Sequence, residues 1–329
     1  MSETFIGRQI SFGVAVEGDR GTAEATAAHW VQKTTADVIP QVETVIDDST
    51  FGRLEDAARS RTVRKWNEGQ LAGVLHADVA GYFFTNIYGD VDSNQLATGV
   101  HEHDFSLQQT ITHPTLTLFV KDADVRNTKI ANGVVSQFEI QASTDDYVRY
   151  TADFIGKQEE ASTDTPTLTV ENDWVSRDIT LKFAATEGGL TGAAAVDAKE
   201  LTLTWNANAE ADFVFGDYSP ANVHNKQLSI EGSFTRNYVD QTFEDLYKSK
   251  ESRYMLVDII GEENLGGANN PQLTLKGYRV EITDWSRSSA GNDLVTEDVS
   301  FKLFYNPTDE AQSEVSLVNK TEEYVVTGS

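Results

Sequence analysis

The chain has 329 residues, with 52 acidic against 26 basic side chains, a formal charge of −26, and no cysteine. The acid excess excludes a broad basic footprint for gripping nucleic acid. The lack of cysteine excludes disulfides, thiolate metal sites and a cysteine nucleophile, while 39% apolar and 10% aromatic residues supply core for one large β domain or two ordinary ones.

Residues 1–22 open the chain with glycine punctuation and polar residues. They read as an extended N-terminal arm that orders only on assembly. The N-terminus has no apolar run of a secretory signal, and no segment approaches the ~18 apolar residues of a membrane helix. The expectation is a soluble protein made in a cytoplasm. His29–Val31 begins a short strand, Pro40 and Asp47-Asp48-Ser49 mark turns, and residues 54–66 read as a loop.

Two stretches then share one pattern. From Gln70, Leu71, Gly73, Leu75 and Ala77 alternate with Ala72, Val74, His76 and Asp78, and Val79, Phe83 and Ile87 follow at helical spacing. From Lys226, Leu228, Ile230, Gly232 and Phe234 alternate in the same way, and Val239, Phe243, Leu246 and Tyr247 form a helical stripe. The strands lie 157 positions apart and the helices 160, which predicts an internal duplication of a strand–helix unit.

Between the units, residues 89–104 read as a long polar loop, followed by strands over 105–110, 116–121, 134–141 and 148–154. Residues 157–165 have linker composition. Strands at 168–170 and 179–183 and the small-residue loop 188–195 follow. Segments 201–205 and 211–215 read as a hairpin across Asn206–Asn208. After the second unit come strands over 254–260, 273–285 and 294–305 and a polar tail. These readings divide the chain into an arm (1–22), a first β domain (23–158), a linker with short strands (159–198), a second β domain (199–307) and a C-terminal tail (308–329).

No catalytic, cofactor-binding or metal-binding residues emerge. His101-Glu102-His103-Asp104 lacks a third ligand for zinc. Asp90, Asp92 and Asn94 mimic the start of a calcium loop, but Gln95 and His101 occupy the positions that need Gly and Glu. Phosphate-loop, dinucleotide and nucleophile-elbow motifs are absent. Tyr82-Phe83-Phe84 falls on the helix's apolar stripe and reads as core.

Several short motifs, taken in order, resemble tail tube proteins of long-tailed bacteriophages. They are Phe5-Ile6-Gly7-Arg8 with Gly13, Glu17 and Arg20-Gly21-Thr22; Asp47-Asp48-Ser49 with Phe51-Gly52; Glu68-Gly69; Phe154-Ile155-Gly156-Lys157; Trp285-Ser286; Asp293–Thr296; and Leu303–Pro307. The resemblance implies a mainly β fold: a tandem pair of β-sandwich tail-tube-like domains, each with a short flanking helix, contributing strands to an intersubunit β-barrel. It implies a structural virion protein that forms stacked rings, not an enzyme, without cofactors and without a membrane. It is to be assembled in the host cytoplasm, with tape measure, tail terminator and distal tail proteins as partners. DNA would pass through the lumen without specific binding. Two copies per chain would let three chains make a pseudo-sixfold ring, with the arm and tail contacting adjacent rings. The rival readings are another tail protein such as a distal tail or tip protein, a two-domain adhesin or carbohydrate-binding protein, and an acidic glycosidase. The acidity has two explanations: a lumen that must not hold a polyanion, or general solvation in a salty habitat.

Overall fold

The computed structural model describes residues 4–50, 52–56 and 59–324. It is mainly β and antiparallel. In chain order the strands are β1 (Ile10–Val16), β2 (His29–Val31), β3 (Thr35–Asp47) and β4 (Arg59–Val74), followed by helix α1 (Ala77–Tyr88). Next are β5 (Gly89–Ala97), β6 (Val100–Leu107), β7 (Leu116–Asp122), β8 (Arg126–Ser143), β9 (Arg149–Gly156), β10 (Glu160–Ala161), β11 (Ile179–Ala184), β12 (Ala198–Asn206), β13 (Glu210–Asp212), β14 (Asn222–His224) and β15 (Ser229–Asn237). Helix α2 (Thr242–Ser249) precedes β16 (Arg253–Ile260), β17 (Gln272–Arg287), β18 (Thr296–Leu303) and β19 (Ser313–Asn319).

One pairing order occurs twice. β1 pairs with β7, β7 with β8, β8 with β9, β9 with β4 and β4 with β3. Likewise β11 pairs with β16, β16 with β17, β17 with β18, β18 with β15 and β15 with β12. The strands alternate as half-buried strands must: in β9, Tyr150, Ala152 and Phe154 are buried while Arg149, Thr151, Asp153 and Ile155 are not. The ladders share one apolar core and are joined by β8–β12 and, through β19, by β17 to β6. No closed barrel forms among the described residues.

The two helices differ in environment. Every residue of α1 except Asp78 is buried. Phe83 packs on Phe138, Tyr150 and Phe154, and Phe84 on Phe105, Phe138 and Trp205. Gly89 ends α1 at φ 88, the left-handed conformation a side chain resists, with the His113 ring 2.8 Å from where a Cβ would stand. α2 is amphipathic and buries only Phe243 and Leu246.

Several expectations are corrected. The arm contains β1, whose Phe12 and Val14 are fully buried; chain ends need not be loose when a strand pairs them into a sheet. The tail contains β19, with Val315 and Leu317 fully buried. The loop at 54–66 is β4 from Arg59 onward, stabilised along its length by β3; Ala57 and Ala58 lie outside the described residues. The polar loop 89–104 is mostly the β5–β6 hairpin, polar because β5 is an exposed edge. Segments 201–205 and 211–215 do not pair: β12 lies between β8 and β15, and β13 pairs with β14. Residues 168–170 form no strand. Leu168 and Val170 are exposed, and the linker's buried side chains are Glu171, Trp174, Leu181 and Leu190. Val239 precedes α2 and is 72% exposed. Pro40 stands within β3, which is an edge strand and tolerates the missing N–H.

Candidate assembly interface

Across the two ladders the hydrogen-bonded order β3–β4–β9–β8–β12–β15–β18–β17 makes one eight-strand sheet. At its centre, Gln137–Ser143 of β8 pairs antiparallel with Glu200–Asn206 of β12. This internal seam is well supported. Phe138 and Trp205 stand opposite each other and both rest on Phe84 of α1. The Trp205 indole Nε1 donates to the Tyr88 hydroxyl at 3.0 Å, and that hydroxyl meets Ser313 Oγ at 2.9 Å. Burial raises the Tyr88 phenol to about 12, so it stays neutral.

The sheet has two unlike faces. One packs on the core. The other, by alternation and register, carries Asp37, Glu68, Asp153, Glu139, Glu200, Glu231, Asp298, Glu281 and Asp284. Basic residues alternating with them, Arg149, Arg279 and Lys302, are each paired, with Asp146 at 2.6 Å, Glu281 at 2.9 Å and Glu231 at 2.6 Å. The Lys302 ammonium holds the Glu231 carboxyl below the usual range. Such a face, acidic in excess and with Arg149, Arg279 and Lys302 engaged by carboxylates, repels a polyanion.

The ladders match in detail. β8 is bulged between Val135 and Gln137, where Phe154 and Asp153 are the partners; β17 is bulged between Ile282 and Asp284, where Phe301 and Ser300 are the partners. Ser136 and Thr283 are therefore the same bulge, and a side chain from α1 or from the residue that caps α2 satisfies the backbone beside each. Val135 N–H donates to Asn86 Oδ1 at 2.7 Å, and Lys250 Nζ donates to the Ile282 carbonyl at 3.0 Å. Gly69 opposite Phe154 corresponds to Gly232 opposite Phe301, a spacing of 163 rather than the 157 the letters gave.

The ends of the sheet are open. Among the described residues, β3 has a ladder partner only in β4, and β17 beyond Val280 only in β18. The β3–β4 hairpin also overhangs, since β9 pairs β4 only from Asn67 onward. Val42, Val45, Ile46 and Val63 on that overhang are exposed. Sequence reasoning missed both edges. Pro40 inside the β-branched run Val38–Ile46 was the available sign of an edge strand.

The earlier candidates are placed as follows. His103 is buried in β6, its ring bonded to Ser93 Oγ at 2.8 Å, Asn319 Oδ1 at 3.2 Å and the Thr321 carbonyl at 3.0 Å. Both ring nitrogens are engaged, and burial pushes its pKa down. His101 and Glu102 pair along β19 with Asn319 and Val318. Asp90, Asp92 and Asn94 line the exposed side of β5. Tyr82, Phe83 and Phe84 are core.

A comparison with curated proteins finds no match. A family model described as "Phage tail tube protein" matches residues 7–302. The chain belongs to that family, whose members are structural components of the virion tail.

Proposed function

We propose that this member of the phage tail tube family polymerises edge to edge into rings of three chains, and that the rings stack into the hollow conduit for genome ejection. The β8–β12 seam carries the proposal. It already joins two copies of one strand order within the chain, as neighbouring subunits of a ring would be joined. Each copy is then one tail-tube-like unit, so three chains supply six positions and three times eight strands. Closing the sheet removes the open edges, which are otherwise an aggregation liability. The acidic face becomes the lumen wall, where DNA slides without being held.

The β3–β4 overhang takes the ring-to-ring role that the sequence assigned to the arm and tail, because β1 and β19, which those segments contain, are paired into the fold. The overhang is a two-stranded ribbon braced by the 213–218 segment, where Lys65 N–H donates to the Tyr218 carbonyl at 2.8 Å and Arg64 lies over the Phe213 ring. A two-stranded ribbon is marginal in water, and the exposed Val42, Val45 and Ile46 of β3 favour burial against an adjacent ring. Tape measure, terminator and distal tail proteins are the partners expected at the tube's core and ends. Electron microscopy of the purified protein tests the reading. Hollow tubes or rings are expected; a protein that stays monomeric at every concentration and is missing from virion tails would overturn it.

A further inference from the structure

We infer that the seam between chains pairs residues 35–41 of β3 in one copy with residues 284–290 of the next copy, antiparallel, with Ile39 opposite Ser286. The inference rests on the reading of the chain as a ring-forming subunit, and specifies the surfaces that make the contact.

The register follows from the internal seam. The shared bulge fixes β17 against β8: Gln137 corresponds to Asp284, Phe138 to Trp285 and Ile140 to Arg287. The shared glycines fix β3 against β12: Val38 faces Gly69 as Leu203 faces Gly232, so Val38 corresponds to Leu203 and Pro40 to Trp205. Within the chain, Leu203 lies opposite Ile140 and Trp205 opposite Phe138. Carried over, Val38 of one copy lies opposite Arg287 of the next, Pro40 opposite Trp285, and Gln41 opposite Asp284.

The chemistry of the two edges fits. On the core side, the Pro40 ring meets the half-buried Trp285 indole, which Glu297 holds by a 2.6 Å bond from Nε1. On the polar side, the Gln41 amide can donate to the Asp284 carboxylate, and Asp37 falls opposite Ser288, so no like charges are opposed. The pair Ile39–Ser286 takes the place of Thr204–Glu139, whose side chains touch at 3.2 Å across the internal seam. The Lys250 contact to Ile282 lies beyond this register, as the Asn86 contact to Val135 lies beyond the internal one. The edges are therefore complementary to each other, and after three chains the last β17 meets the first β3.

The absence of native cysteine makes a cross-link clean. Directly opposed strand positions are within disulfide reach, and neighbours two residues away are not. Wild-type tubes are first confirmed by electron microscopy, and tubes of Ile39→Cys/Ser286→Cys are then oxidised and run on a non-reducing denaturing gel. Covalent dimers and a ladder ending at trimer are expected, with Gln41→Cys/Asp284→Cys behaving alike. The single-cysteine variants and the off-register pair Ile39→Cys/Asp284→Cys should give no ladder. Wild-type tubes with no cross-link from either matched pair, or a ladder continuing to hexamer, would overturn this seam while leaving the tube reading intact. Absence of wild-type tubes would overturn the tube reading and this inference with it.

Discussion

Tyr324 lies edge-on over Gly81, so close that a Cβ on Gly81 would stand 2.0 Å from the ring's Cζ. The Tyr324 hydroxyl donates to the Asp78 carbonyl at 2.7 Å and accepts from Asn319 Nδ2 at 2.6 Å; Asn319 Nδ2 also reaches the Ala77 carbonyl at 2.9 Å. The segment after β19 is thus clamped over the first turn of α1. Gly81→Ala improves helix propensity but forces the tyrosine out. We expect a net loss of about 1–3 kcal/mol, typical of overpacking, and faster proteolysis near residue 320. Both are checked by urea unfolding and limited digestion.

His103 stands in the same clamp, with the Tyr324 ring 4.7 Å and the His101 ring 6.3 Å away. Its folded pKa lies below the ordinary 6.5, because burial disfavours the cation and His101 adds repulsion, while its bonds to Thr321 and Asn319 oppose the shift. Its contribution is therefore fully present above 6.5 and is lost as pH falls through the lower folded value. Thermal unfolding should weaken on acidification through this window, and His103→Gln should weaken less steeply. An unchanged slope in the variant would refute the assignment.

Trp205 is the aromatic that ties the second ladder to α1 beneath the internal seam. Trp205→Ala removes its contacts with Phe84 and Phe138 and leaves the Tyr88 hydroxyl without its indole donor. A loss of about 3–5 kcal/mol is expected for a buried tryptophan, measured by chemical denaturation. Because this residue supports the seam that the ring would repeat, tubes of the variant should also be fewer and shorter.

The acidic face gives a prediction about polyanions. Wild-type tubes should retain no duplex DNA at moderate salt. The triple variant Glu139→Lys, Glu200→Lys, Glu231→Lys should bind it with a steep salt dependence, as phosphate contacts require. Retention by the wild type, measured by fluorescence anisotropy, would contradict the lumen assignment.

Much of this fold was legible because alternation is local. The buried residues of β9 and β17 can be read from their letters, and the apolar run of α1 marks it as core. The pairing order was not legible, since β8 meeting β12 depends on contacts between residues far apart in the chain, from Ser143 with Glu200 to Gln137 with Asn206. The duplication was visible as a pattern, but its spacing was misjudged. Leu71 and Leu228 look alike in sequence, whereas ladder position equates Leu71 with Phe234. β1 and β19 were missed because glycine and polar residues around them signal looseness, and only tertiary pairing overrides that signal. The assembly edges were hidden for a related reason: whether a strand such as β3 lacks a neighbour is decided by the pairing order, not by its own letters.

The central claim, that one chain fills two of six equivalent places in a ring, is tested most directly by the symmetry of the assembled tube in electron cryomicroscopy. The account predicts three chains per ring with pseudo-sixfold strand positions, α1 and α2 alternating around the wall and both ladders lining the lumen. Six chains per ring, or a lumen lined by only one of the two ladders, would contradict it.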